Sequence, residues 1–339
     1  MRLIRILFFI ALFLLTNSFI LSEIKYGGYF SFDYIKSQKE GINPNGDILN
    51  SYFSLNFSGK FDSKFYFYSE VRTENALSDF FLEQAWVGFR GGAFFNLKLG
   101  AFLVPFGMLN QIHRPNQMRL INLPLSHENI IPVPWTDIGV SIDGKYGIVS
   151  YSVYLTNGLG EGKDISGGRQ FRDNNKDKAK GGRLSVSLGK GLKIGFSQYK
   201  GKYNSENNLN LNLKGIDLIW SNAKTILLAE YSKADIENRI PYEKGKAEGY
   251  FIIFSFSIGN FSPVFSYQFL NYKDPFHGEG FIPGLKEGAG IDKKRERWTI
   301  GLNYYPVSNI AFKVEYQFNK EKDLQLKDNT LRIQVAVSF

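Results

Sequence analysis

The last nine residues, LRIQVAVSF, alternate apolar with polar side chains, and the same two-residue period returns in segment after segment from Ile24 onward. In an extended strand, neighbouring side chains point to opposite faces. Leu331, Ile333, Val335, Val337 and Phe339 therefore share one face, and Arg332, Gln334, Ala336 and Ser338 the other. Sixteen such segments can be counted, with turn residues between them, and nothing after Glu23 has helical spacing or the length of a spanning helix. Strands that are apolar on one side and polar on the other suit either a sandwich core or a barrel wall between lipid and water.

Connection length decides between the two. Every second connection is tiny, as at Gly91 to Ala93, Gly189 to Gly191 and Pro306 to Asn309. Those between are longer, as at Lys36 to Asp47, Val104 to Trp135, Asn157 to Ala179 and Lys273 to Lys294. Short turns on one rim and long loops on the other characterise an outer-membrane barrel, whereas a sandwich has no reason to sort its loops by parity. The expected fold is all-β: a transmembrane antiparallel β-barrel of about sixteen strands, residues 23–339 forming a single domain.

Side-chain faces agree in the best segments. Phe312, Val314, Tyr316 and Phe318 are expected to face lipid, leaving Lys313, Glu315 and Gln317 in the lumen; Trp298, Ile300, Leu302 and Tyr304 leave Arg297, Thr299 and Asn303 inside. Lys98 and Arg183 fall on the lumen face in the same way. Two segments resist. In FFLEQAWVGFR, an outward face of Ala85, Val87 and Phe89 also takes Glu83 outward, so that this residue lies near a membrane interface or the register shifts. In KTILLAEY, Ile226 and Leu228 fall inside, an apolar patch to be covered by a loop or a neighbouring protomer.

The opening MRLIRILFFIALFLLTNSFILS has a short basic region at Arg2 and Arg5, an apolar run from Ile6 to Leu15, and a small residue, Ser22, before a cleavage point. It reads as a cleaved secretory signal over residues 1–22, the alternative being a membrane anchor. Its removal would take the formal charge from +9 to +7. There is no cysteine, which excludes disulfides, thiolate metal sites and a lipidated N-terminal cysteine. The connection over residues 104–135 is too long for a simple reversal, and its apolar anchors and prolines argue for a loop folded into the barrel mouth.

The stretches GAFLVPFG (Gly100 to Gly107) and TNGLG followed by FRDNNKDKAKGGRLS (Thr156 to Ser185) resemble the porin family that includes the phosphate-selective porins O and P. The resemblance implies a sixteen-stranded barrel, usually a homotrimer, narrowed by inward-folded loops and lined by basic residues. The ending on Phe339 is similar to the signal by which the barrel-assembly machinery recognises its clients. The pore-lining or constriction candidates are His113, Arg114 and Arg119 in the third loop, with Lys98, Arg183, Arg297, Lys313, Glu315 and Arg332 on the wall. The eight basic residues among them outnumber opposing acids such as Glu70, Asp137, Asp143 and Glu315, so the pore prefers anions unless the charges pair across the lumen.

Catalytic chemistry is not expected. The three histidines, His113, His127 and His277, all fall in loops, and Ser126 is adjacent to His127 in sequence without being arranged as nucleophile and base. Asp173, Asn175 and Asp177 alternate as in a calcium loop but lack its glycine and distal glutamate, so a solvated loop is the plainer reading. No nucleic-acid reader is present, and no metal or cofactor is expected. The function expected is that of an outer-membrane porin for passive diffusion of small hydrophilic solutes and ions, in contact with membrane lipid and lipopolysaccharide. The alternative is a surface adhesin or structural barrel with an occluded lumen.

Overall fold

The computed structural model describes residues 24–74, 79–162, 164–238, 240, 244–274, 294–322 and 325–339; the expected signal segment and His277 lie outside the described residues. Sixteen strands follow in chain order. The first eight are β1 (Ile24–Ser37), β2 (Asp47–Lys60), β3 (Phe65–Glu74), β4 (Asp79–Arg90), β5 (Asn96–Leu103), β6 (Thr136–Tyr146), β7 (Val149–Thr156) and β8 (Ala179–Gly189). The second eight are β9 (Leu192–Lys202), β10 (Asn210–Ser221), β11 (Thr225–Ile236), β12 (Gly245–Phe256), β13 (Phe261–Asp274), β14 (Lys294–Val307), β15 (Ile310–Glu321) and β16 (Thr330–Ser338).

Each strand pairs antiparallel with its sequence neighbours, and β16 returns to β1, so the sheet is a closed barrel. Closure gives every ladder group a partner within the sheet, which an open edge facing hydrocarbon could not do. At the seam, Gly28 and Phe339 exchange two backbone N–H···O bonds of 3.0 Å. Gly28 fits there because it has no side chain: a Cβ would lie 2.7 Å from the Phe339 ring and 2.3 Å from the Ser54 carbonyl oxygen.

Most connections sort by parity, the exception being β3 to β4, which is no longer than the β4 to β5 turn. The turns at 147–148, 190–191 and 308–309 contrast with the loops at 104–135 and 157–178 on the opposite rim. The turn between β8 and β9 is built on left-handed residues, Gly189, Lys190 and Gly191, at φ of 80°, 47° and 78°.

Faces follow the alternation. Trp298, Ile300, Leu302, Phe312, Val314 and Phe318 are exposed on the outer wall, while Thr299, Asn303, Lys313, Glu315 and Gln317 are buried inside. Outward aromatics gather in two bands. Near the short-turn rim, Phe261, Tyr304 and Phe312 lie side by side across β13, β14 and β15. Nearer the long loops, Tyr250 stacks on Phe269 and Tyr267 sits 4.4 Å from Trp298. Between the bands lie Ile252, Phe265 and Ile300, the arrangement of an apolar belt between aromatic girdles.

The two unruly segments resolve differently. In the pairing of β3 with β4, Glu70 faces Gln84 but Val71 faces Leu82, so Glu83 is an extra residue at a bulge. Phe80 and Leu82 face out before it and Val87 after it, and Glu83 is buried inside. A shift of register, and not a lipid-interface position, accounts for this glutamate. Leu228 is covered by the third loop: it packs with Met108, Leu109 and Leu120 and with Phe251, Ile253 and Val264 of the wall, and Ile226 borders the same cluster. Replacing outward Ile300 with Arg should lower stability by about 2–4 kcal/mol, read by denaturant unfolding in lipid vesicles.

Candidate functional site inside the barrel

The segment 104–135 leaves β5 and comes back to β6 at a closed neck. The Val104 N–H donates to the Trp135 carbonyl at 2.8 Å. The buried Asn110 amide donates to the Val104 and Trp135 carbonyls at 2.8 and 3.1 Å and accepts from the Trp135 N–H at 2.7 Å. One side chain therefore holds both ends of the loop.

From this neck the chain runs inward. Phe106 packs on Trp135, with ring centres 5.6 Å apart, and Gly107 turns left-handed at φ +63°. The turn brings the Gly107 N–H to Ser197 Oγ of β9 at 3.0 Å and the Met108 N–H to Glu230 Oε2 of β11 at 2.9 Å. A Cβ on residue 107 would stand 2.2 Å from the Glu230 carboxylate, so the glycine is a condition of the contact.

Further along, the loop is fastened to wall strands on several sides. Arg114 forms a fork on Glu70 of β3 at 3.2 and 2.6 Å and also donates to the Tyr68 hydroxyl at 2.9 Å. His113 lies with Nε2 2.9 Å from Glu83 of β4. Lys313 of β15 donates to the Pro115 and Met118 carbonyls at 2.5 and 2.9 Å, and Glu315 accepts from the Ile121 and Asn122 N–H groups at 2.9 and 3.3 Å. The Asn303 amide of β14 donates to the Arg119 carbonyl at 2.9 Å.

A short helix, α1 (Leu125–Asn129), completes the circuit. Its first N–H, from Leu125, donates to Gln268 of β13 at 3.1 Å, and Glu128 pairs with Arg297 of β14 at 3.0 Å. The fourth loop lies on top: Ser166 donates to the Glu128 carbonyl and Arg169 to the Pro134 carbonyl, at 2.7 and 3.0 Å.

Ser126 and His127 are in contact, contrary to expectation. The serine Oγ is 3.1 Å from His127 Nδ1, and His127 Nε2 is 3.3 Å from Glu230. The three side chains are buried at 2 % exposure or less, with His127 edge-on to Phe251. With no access for a substrate, the relay serves as a buttress that ties α1 to the carboxylate holding the Met108 and Leu109 N–H groups.

The other expected site residues are placed as follows. Lys98 pairs with Asp143 at 3.0 Å, Arg183 with Asp217, and Arg119 donates to the Tyr305 hydroxyl at 3.1 Å. Arg332 faces Glu315 across the β15–β16 ladder, and Phe339 projects outward. His113, on the loop itself, and Lys313, Glu315 and Arg297, on the wall beside it, are corrections: they are buried at 6, 2, 3 and 8% exposure and turned to the loop–wall contact, not to an open pore. The inner acids were also undercounted, for Asp33, Glu83, Asp217 and Glu230 are buried inside and Glu128 is half-buried there. In the fourth loop, Asn175 spends its side chain on the Asp177 N–H and the Lys202 carbonyl, and among the described residues no cluster suits a metal ion.

The loop does not cover the whole lumen. Beside it an open recess of about 340 Å³ runs from Pro105 and Gln111 to Ser141, Asp143 and Ser152 on β6 and β7.

A family model described as Gram-negative porin matches residues 11–324. The chain belongs to the Gram-negative porins. Its barrel is thus that of an outer-membrane channel protein. Among solved structures, a Salmonella typhi OmpF complex with daunomycin aligns at TM-score 0.66 and 11% identity, covering 93% of this chain and 97% of that one. An anion-selective porin from Comamonas acidovorans aligns at TM-score 0.65 and 14% identity, covering 94% and 99%. A protein of Aquifex aeolicus (strain VF5), described as uncharacterized, is 24% identical over 91% of this porin and 78% of its own length.

Two outcomes follow for the loop. Replacing Glu230 with Ala strands His127 and two loop N–H groups, and should cost about 3–5 kcal/mol, read as protease cleavage within residues 104–135. Burial works to raise the Glu128 carboxyl, but the Arg297 charge and hydrogen bonds outweigh it and hold the group below its ordinary value. A carboxyl depressed on folding stabilises above its unfolded pKa, and that contribution is lost as pH falls through the folded value. Acid should therefore loosen α1, and Glu128→Gln should remove that pH dependence in hydrogen exchange of Leu125 to Asn129.

Proposed function

We propose that this porin forms a water-filled passage for passive diffusion of small hydrophilic solutes and ions, with the third loop as its constriction and a preference for anions. The observation that carries the preference is the depth of the charges. In the Arg114–Glu70 pair the arginine side chain is 22% exposed and the glutamate 0%, and in Arg183–Asp217 the values are 12% and 0%. The base is the member nearer water in both. At these two pairs a mobile anion in a narrow lumen would meet the guanidinium before the carboxylate, whereas at Arg297–Glu128 the order is reversed, 10% against 26%. Arg119 and Arg332, both partly exposed, add to the same side of the balance.

Phosphate is the anion named by the resemblance of the Gly100 to Gly107 and Thr156 to Ser185 stretches. A homotrimer in contact with lipopolysaccharide, exported by a cleaved signal over residues 1–22 and assembled through the Phe339 ending, completes the proposal; no reaction is part of it.

Planar-bilayer recording under a potassium chloride gradient tests the proposal. Discrete unit steps and a zero-current potential favouring chloride are expected, with phosphate competing for the current. Arg119→Glu should move that potential toward potassium. An unchanged potential would take Arg119 out of the ion path, and folded protein without steps would favour the adhesin or structural barrel.

A further inference from the structure

The short-turn half of the lumen holds an aromatic group that diffusion alone does not call for. Tyr66 and Tyr68 on β3 and Trp86 on β4 fall on the inner face, since their neighbours Phe65 and Val87 are exposed outside. Tyr68 stacks on Trp86 at 5.7 Å and 23°, and Tyr66 meets Trp86 edge to face at 5.6 Å. Gly88 stands opposite Tyr66 in the ladder, and a Cβ there would lie 2.5 Å from the tyrosine ring. The glycine lets the ring lie down along the wall, so that the group forms a low platform.

Polar groups border this platform in complementary pairs. The Lys98 ammonium is 5.4 Å from the centre of a Trp86 ring and 3.0 Å from Asp143, and the Arg90 guanidinium is 5.3 Å from the Tyr66 ring centre. They line an open recess of about 650 Å³ that shares Asn96, Lys98 and Asp143 with the recess reaching Gln111 on the third loop. The size is within the ~300–1,000 Å³ of ligand sites.

We propose that the platform is a saccharide-binding site in the passage, an inference that rests on the channel reading above. A pyranose has a face of C–H groups and a rim of hydroxyls, each both donor and acceptor. Trp86 and Tyr66 supply an apolar surface for the face, and the adjacent ammonium and carboxylate of Lys98 and Asp143 bracket neighbouring hydroxyls. A flat organic anion would gain from Arg90 but meet the Asp143 carboxylate, so the paired charges favour a neutral polyol.

The test uses maltotriose as probe with the full porin folded in detergent, read by saturation-transfer NMR on the sugar protons, and the same sugar in bilayer recordings. Saturable binding carried by ring C–H protons is expected, with added interruptions of the current. Trp86→Ala should raise the dissociation constant about tenfold and Trp86→Phe much less. Tyr66→Ala gives a second variant in which Trp86 is retained. Unit steps without sugar binding would overturn the site and leave the channel. Binding without steps would overturn the channel and leave the site. Equal binding in wild type, Trp86→Ala and Tyr66→Ala would overturn the platform, as would saturation of benzoate protons without those of the sugar.

Discussion

A backbone in hydrocarbon has no water to satisfy its N–H and C=O groups, and that one constraint organises this molecule. It obliges the strands to close, brings β16 back to β1, and sets up the alternation that gives each strand a dry face and a wet one. Once closed, the wall encloses a space, and where the third loop packs against it the buried charged side chains need partners at short range. The third loop supplies many of those partners.

The fastening of that loop is asymmetric in chemistry. On several sides the wall contributes carboxylates, Glu70, Glu83, Glu230 and Glu315, and the loop contributes Arg114, His113 and backbone N–H groups. The polarity is reversed at Arg297 of β14, on Glu128, and at Lys313 of β15, on two carbonyls. Pulling the loop out would leave ions of both signs unpaired in the wall. Apolar packing adds to this, since Phe106, Trp135 and Leu125 share a buried cluster with Tyr199 and Leu213 of β9 and β10.

Much of this was legible in the sequence. The strand count, the sorting of connections and the limits of the third loop at Val104 and Trp135 can be read locally, because a strand's faces are set by its own backbone. Charge pairing was not legible: Arg297 and Glu128, or Lys313 and Pro115, are far apart in sequence and meet only because a loop crosses the lumen. The same distance hid the contact of His127 with Glu230 and made the interior look more basic than it is. The broken alternation of FFLEQAWVGFR was a visible sign, and its cause lay in the pairing with β3.

That bulge has a consequence for how such a wall can change over time. Because facing repeats every two residues, one inserted or lost residue inverts every side chain beyond it, much as a frameshift rewrites all codons downstream. At Glu83 the inversion is confined by letting one residue go unpaired, so Phe80 and Leu82 keep their outward places on one side and Val87 on the other. The odd residue is turned inward, where His113 and Arg72 receive its charge. A single-residue length change in this wall thus survives only where the interior has a use for the side chain it delivers.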